Sequence, residues 1–200
     1  MRLLPYGERA VLVEVDDPGS VLALSAAIGR TAGVLEAVPA ARTLLVRFDP
    51  QVTTAAAIGH ALESGVLEPL AEVPLDPVVL TVRYDGPDLL AVAAEVGISV
   101  QELVGRHTAA AYQVAFCGFA PGFAYLTGLD PMLYVGRLAE PRTTVPPGSV
   151  GVAGEFTGVY PRCSPGGWRL LGATDALLWD TARVPPALLA PGTPVRFRPA

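Results

Sequence analysis

The sequence contains no lysine and no asparagine, so arginine supplies all of its fixed positive charge. This absence excludes a phosphate-loop lysine, a Schiff-base lysine and a kinase-type lysine/asparagine set within the chain. Cysteine is scarce as well, because only Cys117 and Cys163 occur and neither lies in a CxxC motif or a cysteine/histidine cluster. We therefore expect no disulfide framework and predict no metal site.

Long hydrophobic runs are also missing, although 51% of the 200 residues are hydrophobic and only 16% are charged. No apolar stretch reaches the roughly 18 residues that a membrane helix needs, and the N-terminus lacks the apolar core and cleavage site of a secretory signal. The net charge is −5, and neither half of the chain has an excess of arginine. We therefore predict a cytoplasmic protein with a sizeable core that binds neither membranes nor nucleic acids.

The first part of the chain alternates strand and helix signals. Branched, alternating residues open it, Asp17 and Pro18 supply a helix start, and a threonine pair can cap a second helix. We predict strands over residues 10–15, 34–38 and 43–48 and helices over residues 18–30 and 54–62. With one more strand to follow, this order predicts a ferredoxin-like α/β domain over residues 1–76, which ends in the proline-rich segment 68–77.

Beyond this segment the pattern changes to short strands. A strand over residues 78–84 precedes two helices, and Ser99 with Glu102 three residues later forms a capping box for the second of them. From residue 111 onward, short apolar runs alternate with glycine and proline, which is typical of many short strands joined by tight turns. We predict a closed or nearly closed small β-barrel over residues 77–200, and an α+β fold for the chain.

The stretch FCGFAPGFAYL, residues 116–126, stands out because aromatic residues alternate with glycine, proline and alanine. Gly118, Pro121 and Gly122 interrupt any regular element, so we predict an irregular loop. This loop is too apolar to face solvent throughout. It either packs as a buried crossover inside the barrel or lines a pocket, and its residues alone do not decide between these alternatives.

Common catalytic motifs are absent, because the sequence has no GxSxG, GxGxxG or HExxH pattern. The remaining candidates are an acid/base group, two bidentate anion binders, several hydroxyls and a glycine turn whose backbone N–H groups can face an anion. The acid/base candidate is His107, and the anion binders are Arg142 and Arg162. The hydroxyls belong to Ser149, Tyr160 and Ser164, and the glycine turn consists of Gly166 and Gly167. Each also has a structural alternative: a helix-end histidine, surface ion pairs, a core tyrosine or an ordinary turn.

Three long stretches carry a family resemblance: HTAAAYQVAFCGFAPGFAYLTGLDP, PRTTVPPGSVGVAG and TGVYPRCSPGGWRLLGAT. They resemble the 5-oxoprolinase B-subunit family, whose members are also called KipI and allophanate hydrolase subunit 1. The resemblance covers nearly the whole chain and implies a cyclophilin-like β-barrel after the N-terminal α/β domain. The chain departs from the family pattern at Glu155 and Phe156, where AGEFTG replaces AGGQTG, and at Gly136, where proline is usual before Arg137.

This resemblance implies a subunit that does not catalyse alone but works in an ATP-dependent 5-oxoprolinase complex, which opens 5-oxoproline to glutamate. Its implied partners are a larger, carboxyltransferase-related C-subunit and a lactam-utilisation A-subunit, and ATP with Mg²⁺ is expected to bind with those partners. Two alternatives stay open. The chain could instead inhibit a sensor histidine kinase, as KipI-like proteins do, or belong to a biotin-dependent carboxyltransferase or allophanate hydrolase that acts on urea-type amides.

For the site, we predict that His107 and Arg142 are the catalytic residues. The stretch over residues 119–125 is expected to form the wall of a pocket that a partner completes at the barrel mouth, whereas Phe116 and Cys117 pack in the core. The predicted substrate or partner pocket consists of Phe119, Pro121, Gly122, Phe123, Tyr125, Ser149, Tyr160, Arg162, Ser164, Gly166, Gly167 and Trp168.

Overall fold

The computed structural model describes residues 1–64 and 76–200 and is a mixed α+β structure, as the sequence predicts. It divides into two compact units at residues 74 and 75. The predicted boundary segment, residues 68–77, lies outside the described residues except for its last two positions. The domain boundary between residues 76 and 77 therefore stays a prediction.

The described part of the N-terminal unit is an antiparallel sheet of four strands with two helices. Its elements are β1 (Arg2–Pro5), β2 (Ala10–Glu14), α1 (Val21–Ile28), β3 (Val34–Pro39), β4 (Thr43–Phe48) and α2 (Ala55–Glu63). The sheet order is β1-β2-β4-β3. The Thr54 hydroxyl accepts a hydrogen bond of 3.1 Å from the Ala57 backbone N–H, which caps α2 as the threonine pair predicts.

Strand β1 was not among the predicted elements and forms one edge of the described sheet, with Leu3 opposite Val13 of β2. The further strand that the ferredoxin-like prediction needs after the second helix would fall on residues 65–75, which lie outside the described residues, so it stays a prediction. Strand β1 is hard to recognise from its residues, because four positions are too few to show a convincing alternation. The core of this unit consists of Val11, Val13, Val15, Val21, Ile28, Leu44, Val46, Phe48, Ile58 and Leu62.

The C-terminal unit contains two helices followed by eight of its nine strands. Its elements are β5 (Val78–Val82), α3 (Leu89–Val96), α4 (Val100–Ala109), β6 (Tyr112–Cys117), β7 (Ala124–Thr127), β8 (Arg142–Val145), β9 (Ser149–Ala153), β10 (Phe156–Val159), β11 (Ser164–Gly166), β12 (Arg169–Ala173) and β13 (Pro194–Pro199). The Ser99 hydroxyl accepts the Glu102 backbone N–H at 3.1 Å, so α4 begins at the predicted cap.

Seven of these strands form a nearly closed, barrel-like sheet in the order β12-β9-β10-β7-β6-β13-β5. Neighbours are antiparallel except for β13 and β5, which are parallel. The two edge strands meet through a pair of backbone hydrogen bonds between Arg83 and Ala173, each 2.9 Å long. The remaining strands, β8 and β11, form a two-stranded ribbon, and Gly167 directly follows β11.

Two negative findings apply to residues 1–64 and 76–200. No helix there is both long and apolar enough to cross a membrane. The same residues contain no group of three or more histidine, cysteine, aspartate or glutamate side chains arranged to hold a metal ion.

Candidate functional site

The stretch of residues 116–126 is a β-hairpin, whereas the sequence predicted an irregular loop throughout. Strands β6 and β7 extend into both of its ends, so only residues 118–123 form the connecting loop. Phe116 and Tyr125 are cross-strand partners whose rings stack with centroids 4.3 Å apart. Because such cross-strand aromatic pairs stabilise a ladder, the strands persist up to the glycine and proline positions.

Phe123 is the centre of an aromatic cluster beneath this loop. The residue is 1% exposed, and its ring makes edge-to-face contacts with Phe119, Tyr160 and Trp168 at centroid distances of 5.4, 5.2 and 5.4 Å. Tyr125 adds a further contact at 5.1 Å. Edge-to-face pairs are favourable because the positive edge of one ring meets the negative face of the other. The cluster therefore holds the hairpin loop against the segment that contains Tyr160 and Trp168.

A cleft of about 60 Å³ opens beside this cluster. We call it the aromatic cleft, and it is lined by Phe119, Phe123, Tyr125, Arg137, Tyr160, Gly166, Gly167 and Trp168. All of these residues except Arg137 belong to the pocket that the sequence predicts. The structure therefore brings most of the predicted pocket residues together, from segments that are far apart in the chain.

Two backbone conformations shape the loop of the aromatic cleft. Phe119 has a φ of +67° and is the one non-glycine residue with positive φ in the part of the chain that the structure describes. This conformation costs about 1 to 3 kcal/mol for an ordinary side chain, yet the Phe119 residue is 59% exposed. Gly122 has a φ of +84°, and a Cβ there would lie 2.9 Å from the Cβ of Trp179. The loop therefore requires glycine at position 122 and holds the Phe119 ring exposed to solvent.

Tyr160 contributes a hydroxyl group to the lining of the aromatic cleft. Its hydroxyl accepts a hydrogen bond from the Trp168 backbone N–H, and burial raises the pKa of Tyr160, so the phenol stays protonated. The hydroxyl donates to no acceptor among residues 1–64 and 76–200, so its proton can be donated to a ligand oxygen. Gly166 makes this position possible, because a Cβ on Gly166 would overlap the Tyr160 Oη and lie 2.9 Å from its Cε1 and Cζ.

Arg137 is the lining residue that the sequence prediction missed. Its side chain is exposed and lies between the aromatic cleft and a shallow depression of about 490 Å³. This depression is lined by Tyr134, Arg137, Ala153, Gly154, Glu155 and Phe156, and so includes both residues of the AGEFTG departure. The arginine that follows Gly136 is part of the family pattern, which was the available signal for it.

His107, a predicted catalytic residue, does not line the aromatic cleft and is fully buried. Its Nε2 lies 3.0 Å from the Thr157 Oγ1, and its Nδ1 lies 2.8 Å from the Tyr84 hydroxyl. The Thr157 hydroxyl donates its single proton to the Gly151 carbonyl at 3.0 Å. His107 must therefore donate from Nε2 to Thr157 and accept at Nδ1 from Tyr84.

These hydrogen bonds fix the His107 ring in the interior of the C-terminal unit. Burial lowers the pKa of His107 from 6.5 to about 3, so the imidazole is neutral near neutral pH and does not act as a cation at the end of α4. Its ring packs against Phe197 with centroids 4.6 Å apart, and the Tyr112 hydroxyl donates to its backbone carbonyl at 2.8 Å. These contacts connect α4 to the barrel and hold the His107 imidazole away from the lining of the aromatic cleft.

Arg142, the second predicted catalytic residue, holds the β8–β11 ribbon in place. Its Nη2 lies 2.7 Å from the Asp88 Oδ1, and its Nη1 donates to the Trp168 carbonyl at 3.4 Å. The other oxygen of Asp88 accepts the Leu170 backbone N–H at 2.7 Å. Because Gly166 is the β11 partner of Arg142, this clamp positions one side of the aromatic cleft without lining it.

Five other predicted pocket residues also lie outside the lining of the aromatic cleft. Pro121 and Arg162 are exposed, and Gly122 is buried beneath the loop. Ser149 is buried in β9. Ser164 lies in β11, and its buried Oγ has no hydrogen-bond partner among the described residues.

Comparisons with known proteins cover nearly the whole chain. The family model described as "Carboxyltransferase domain, subdomain C and D" matches residues 1–189. The 5-oxoprolinase B-subunit of Escherichia coli O157:H7 is 42% identical over 96% of this chain and 93% of the relative. The protein of the same name from Bacillus subtilis (strain 168) is 37% identical over 82% of this chain and 75% of the relative.

A similar fold also occurs within a longer solved chain. The crystal structure of TTHA0988 matches with a TM-score of 0.83 and 36% sequence identity. The match covers 96% of this chain but 40% of TTHA0988, so the present fold corresponds to less than half of that protein.

Proposed function

Because this chain belongs to the 5-oxoprolinase B-subunit family, we propose that it is one subunit of an ATP-dependent 5-oxoprolinase complex and does not turn over substrate alone. The observation that carries this proposal is the 42% identity to a protein of that name along 93% of the relative's length. A match of that extent leaves no large segment of the relative without a counterpart. The proposed role is therefore that of the whole subunit and not of one shared module.

The chemistry explains why such a complex consumes ATP. A five-membered lactam is an unactivated amide, and water attacks it slowly. Transfer of the γ-phosphoryl group to the amide oxygen releases ADP and leaves an electrophilic carbon. Addition of water to this carbon, cleavage of its bond to nitrogen and loss of phosphate then give glutamate. Positioning and charge stabilisation are the main contributions of a protein to these steps.

The aromatic cleft supports a role that is shared with partners. Complete small-molecule sites usually enclose about 300 to 1,000 Å³, whereas this cleft encloses about 60 Å³. It can accept part of a small substrate but not a nucleotide. We therefore assign ATP and its Mg²⁺ to the partner subunits, and we assign to this chain one wall of the substrate site.

The small volume of the cleft also favours a partner that closes it from outside. Phe119 has a backbone in the left-handed region and exposes its aromatic ring at the loop, and covering such an exposed apolar ring by a partner is favourable. The longer chain of TTHA0988, in which this fold is joined to further sequence, is consistent with such a partner. We propose that the larger carboxyltransferase-related C-subunit and the lactam-utilisation A-subunit complete the enzyme.

Reconstitution tests this proposal directly. The chain should be purified alone, and also co-expressed with its two proposed partners, and each preparation assayed for ATP-dependent release of glutamate from 5-oxoproline. We expect activity from the complete complex and none from the chain alone or from the partners without it. Turnover by the chain alone would refute the subunit role.

A biotin-dependent carboxyltransferase is the second candidate, because the family model that matches is a carboxyltransferase domain. This candidate predicts that the reconstituted complex consumes ATP only with bicarbonate, urea and a biotin-bearing partner. Activity with 5-oxoproline in the absence of biotin would exclude it.

A further inference from the structure

We infer that Arg137 binds the carboxylate of the substrate at the rim of the aromatic cleft, while the aromatic rings and the Tyr160 hydroxyl receive the lactam ring. This inference rests on the proposed function, since it names the part of 5-oxoproline that this chain recognises. It concerns a residue for which neither the sequence motifs nor the family resemblance supplied a role.

The charge of Arg137 is available for a ligand. Two other arginines in nearby strands are already paired: Arg142 with Asp88 and Arg169 with Glu95. Arg137 has no carboxylate within ion-pair distance among residues 1–64 and 76–200. An exposed, unpaired guanidinium beside a concave surface is suited to a carboxylate, which it can bind through two parallel hydrogen bonds.

Glu155 is an acidic group that could compete for this arginine, since both residues line the shallow depression. The two side chains form no ion pair in the described part of the chain. A bound carboxylate therefore does not have to break an existing interaction of Arg137.

The remaining lining matches the other groups of a small lactam. The methylene carbons of such a ring are apolar and can pack on the exposed ring of Phe119 and the half-buried ring of Tyr125, while the buried Phe123 and Trp168 support the cleft from beneath. The lactam oxygen is an acceptor, and Tyr160 has a proton to donate. About 60 Å³ corresponds to roughly two water molecules, so the ring enters only in part and its far side stays open to the partner subunit.

The test uses the co-expressed complex and compares two ligands. 5-Oxoproline carries the carboxylate, and 2-pyrrolidinone is the same lactam ring without it. Binding of each ligand is measured by isothermal titration, and KM and kcat are measured for 5-oxoproline with ATP. The variants are Arg137→Gln, Arg137→Lys and the control Arg196→Gln, which removes an exposed arginine of β13.

We expect Arg137→Gln to weaken 5-oxoproline binding and raise its KM about 10- to 100-fold, with kcat changed much less, because one charge-assisted interaction with the substrate is lost. Binding of 2-pyrrolidinone should be the same in this variant and the wild type. Arg137→Lys keeps the charge but not the planar fork and should recover part of the affinity. Arg196→Gln should behave like the wild type.

The outcomes separate this inference from the proposed function. Unchanged 5-oxoproline affinity and KM in Arg137→Gln would overturn the role of Arg137, even if the complex is an active 5-oxoprolinase. Wild-type binding of 5-oxoproline that depends on Arg137, without glutamate release, would support the carboxylate site and contradict the proposed reaction. Absence of 5-oxoproline binding to the wild-type complex would overturn both.

Discussion

Replacing Thr157 by valine should destabilise the barrel by interrupting the hydrogen-bonded chain around His107. Valine has nearly the same shape as threonine, so the change creates no large cavity and removes only the hydroxyl. That hydroxyl is both the acceptor for the His107 Nε2–H and the donor to the Gly151 carbonyl. Thr157 and His107 are both 0% exposed, so water cannot replace either bond.

The size of the effect follows from what is left unpaired. A buried donor without an acceptor costs about 1 to 3 kcal/mol, and the lost bond to the carbonyl of Gly151 contributes about 1 kcal/mol more. A change of tautomer would not remove this cost. If His107 carried its proton on Nδ1, its Nε2 would become an unpaired acceptor in the same apolar surroundings. We therefore expect Thr157→Val to lower the free energy of unfolding by about 2 to 4 kcal/mol.

Urea unfolding, monitored by tryptophan fluorescence, measures the free energy of unfolding of the C-terminal unit. Both tryptophans, Trp168 and Trp179, belong to the C-terminal unit, so their emission reports the barrel and not the N-terminal sheet. The matched control is Thr157→Ser, which keeps the hydroxyl and loses one buried methyl group, at a cost of about 0.5 to 1.5 kcal/mol. A Thr157→Val protein as stable as Thr157→Ser would refute the role assigned to this hydroxyl.

Three further predictions concern the same unit. As the pH falls from about 7 to about 5, the free energy of unfolding should decrease by about 2 kcal/mol. The reason is that His107 binds a proton in the unfolded chain but not in the folded one, where its pKa is about 3. Equal urea midpoints at both pH values would contradict the buried neutral state of His107. Gly166→Ala should cost about 1 to 3 kcal/mol and weaken 5-oxoproline binding by the complex, because the added methyl displaces the Tyr160 ring; unchanged affinity would show that this side of the cleft is not used. Arg142→Ala should lower the free energy of unfolding by about 2 to 4 kcal/mol, because it leaves the nearly buried Asp88 carboxylate without its cation. Full stability with lost turnover would contradict this structural role and support the predicted catalytic role of Arg142.

Local features of the sequence predicted much of the fold. The caps at Thr54 and Ser99 predicted where two helices begin, because a cap depends only on the three residues that follow it. The alternation of short apolar runs with glycine and proline predicted a nearly closed sheet, since such punctuation permits only short strands. The stretch of residues 116–126 and the glycine pair before Trp168 were predicted to share a pocket; residues of both line the aromatic cleft, and their role in binding stays a prediction.

What the sequence could not decide depended on partners that lie far away in the chain. Arg142 is separated from Asp88 by 54 positions, and His107 from Thr157 by 50, so their hydrogen bonds appear only after the barrel closes. Both residues have chemistry that suits catalysis, but the tertiary structure commits one to an ion pair and buries the other. Arg137 differs from both, because no carboxylate among the described residues pairs with its guanidinium, which is therefore available to an anionic ligand.

The sequence alone therefore determined the types of element, the order in which most of them occur and the aromatic and glycine residues from which the cleft is built. These properties are set by backbone preference and hydrophobic pattern, which act over a few residues. The tertiary structure alone decided which charged and titratable side chains remain free to meet a ligand. That property depends on burial and on pairing across the sheet, because a polar group that has been buried with a partner is no longer available to a substrate.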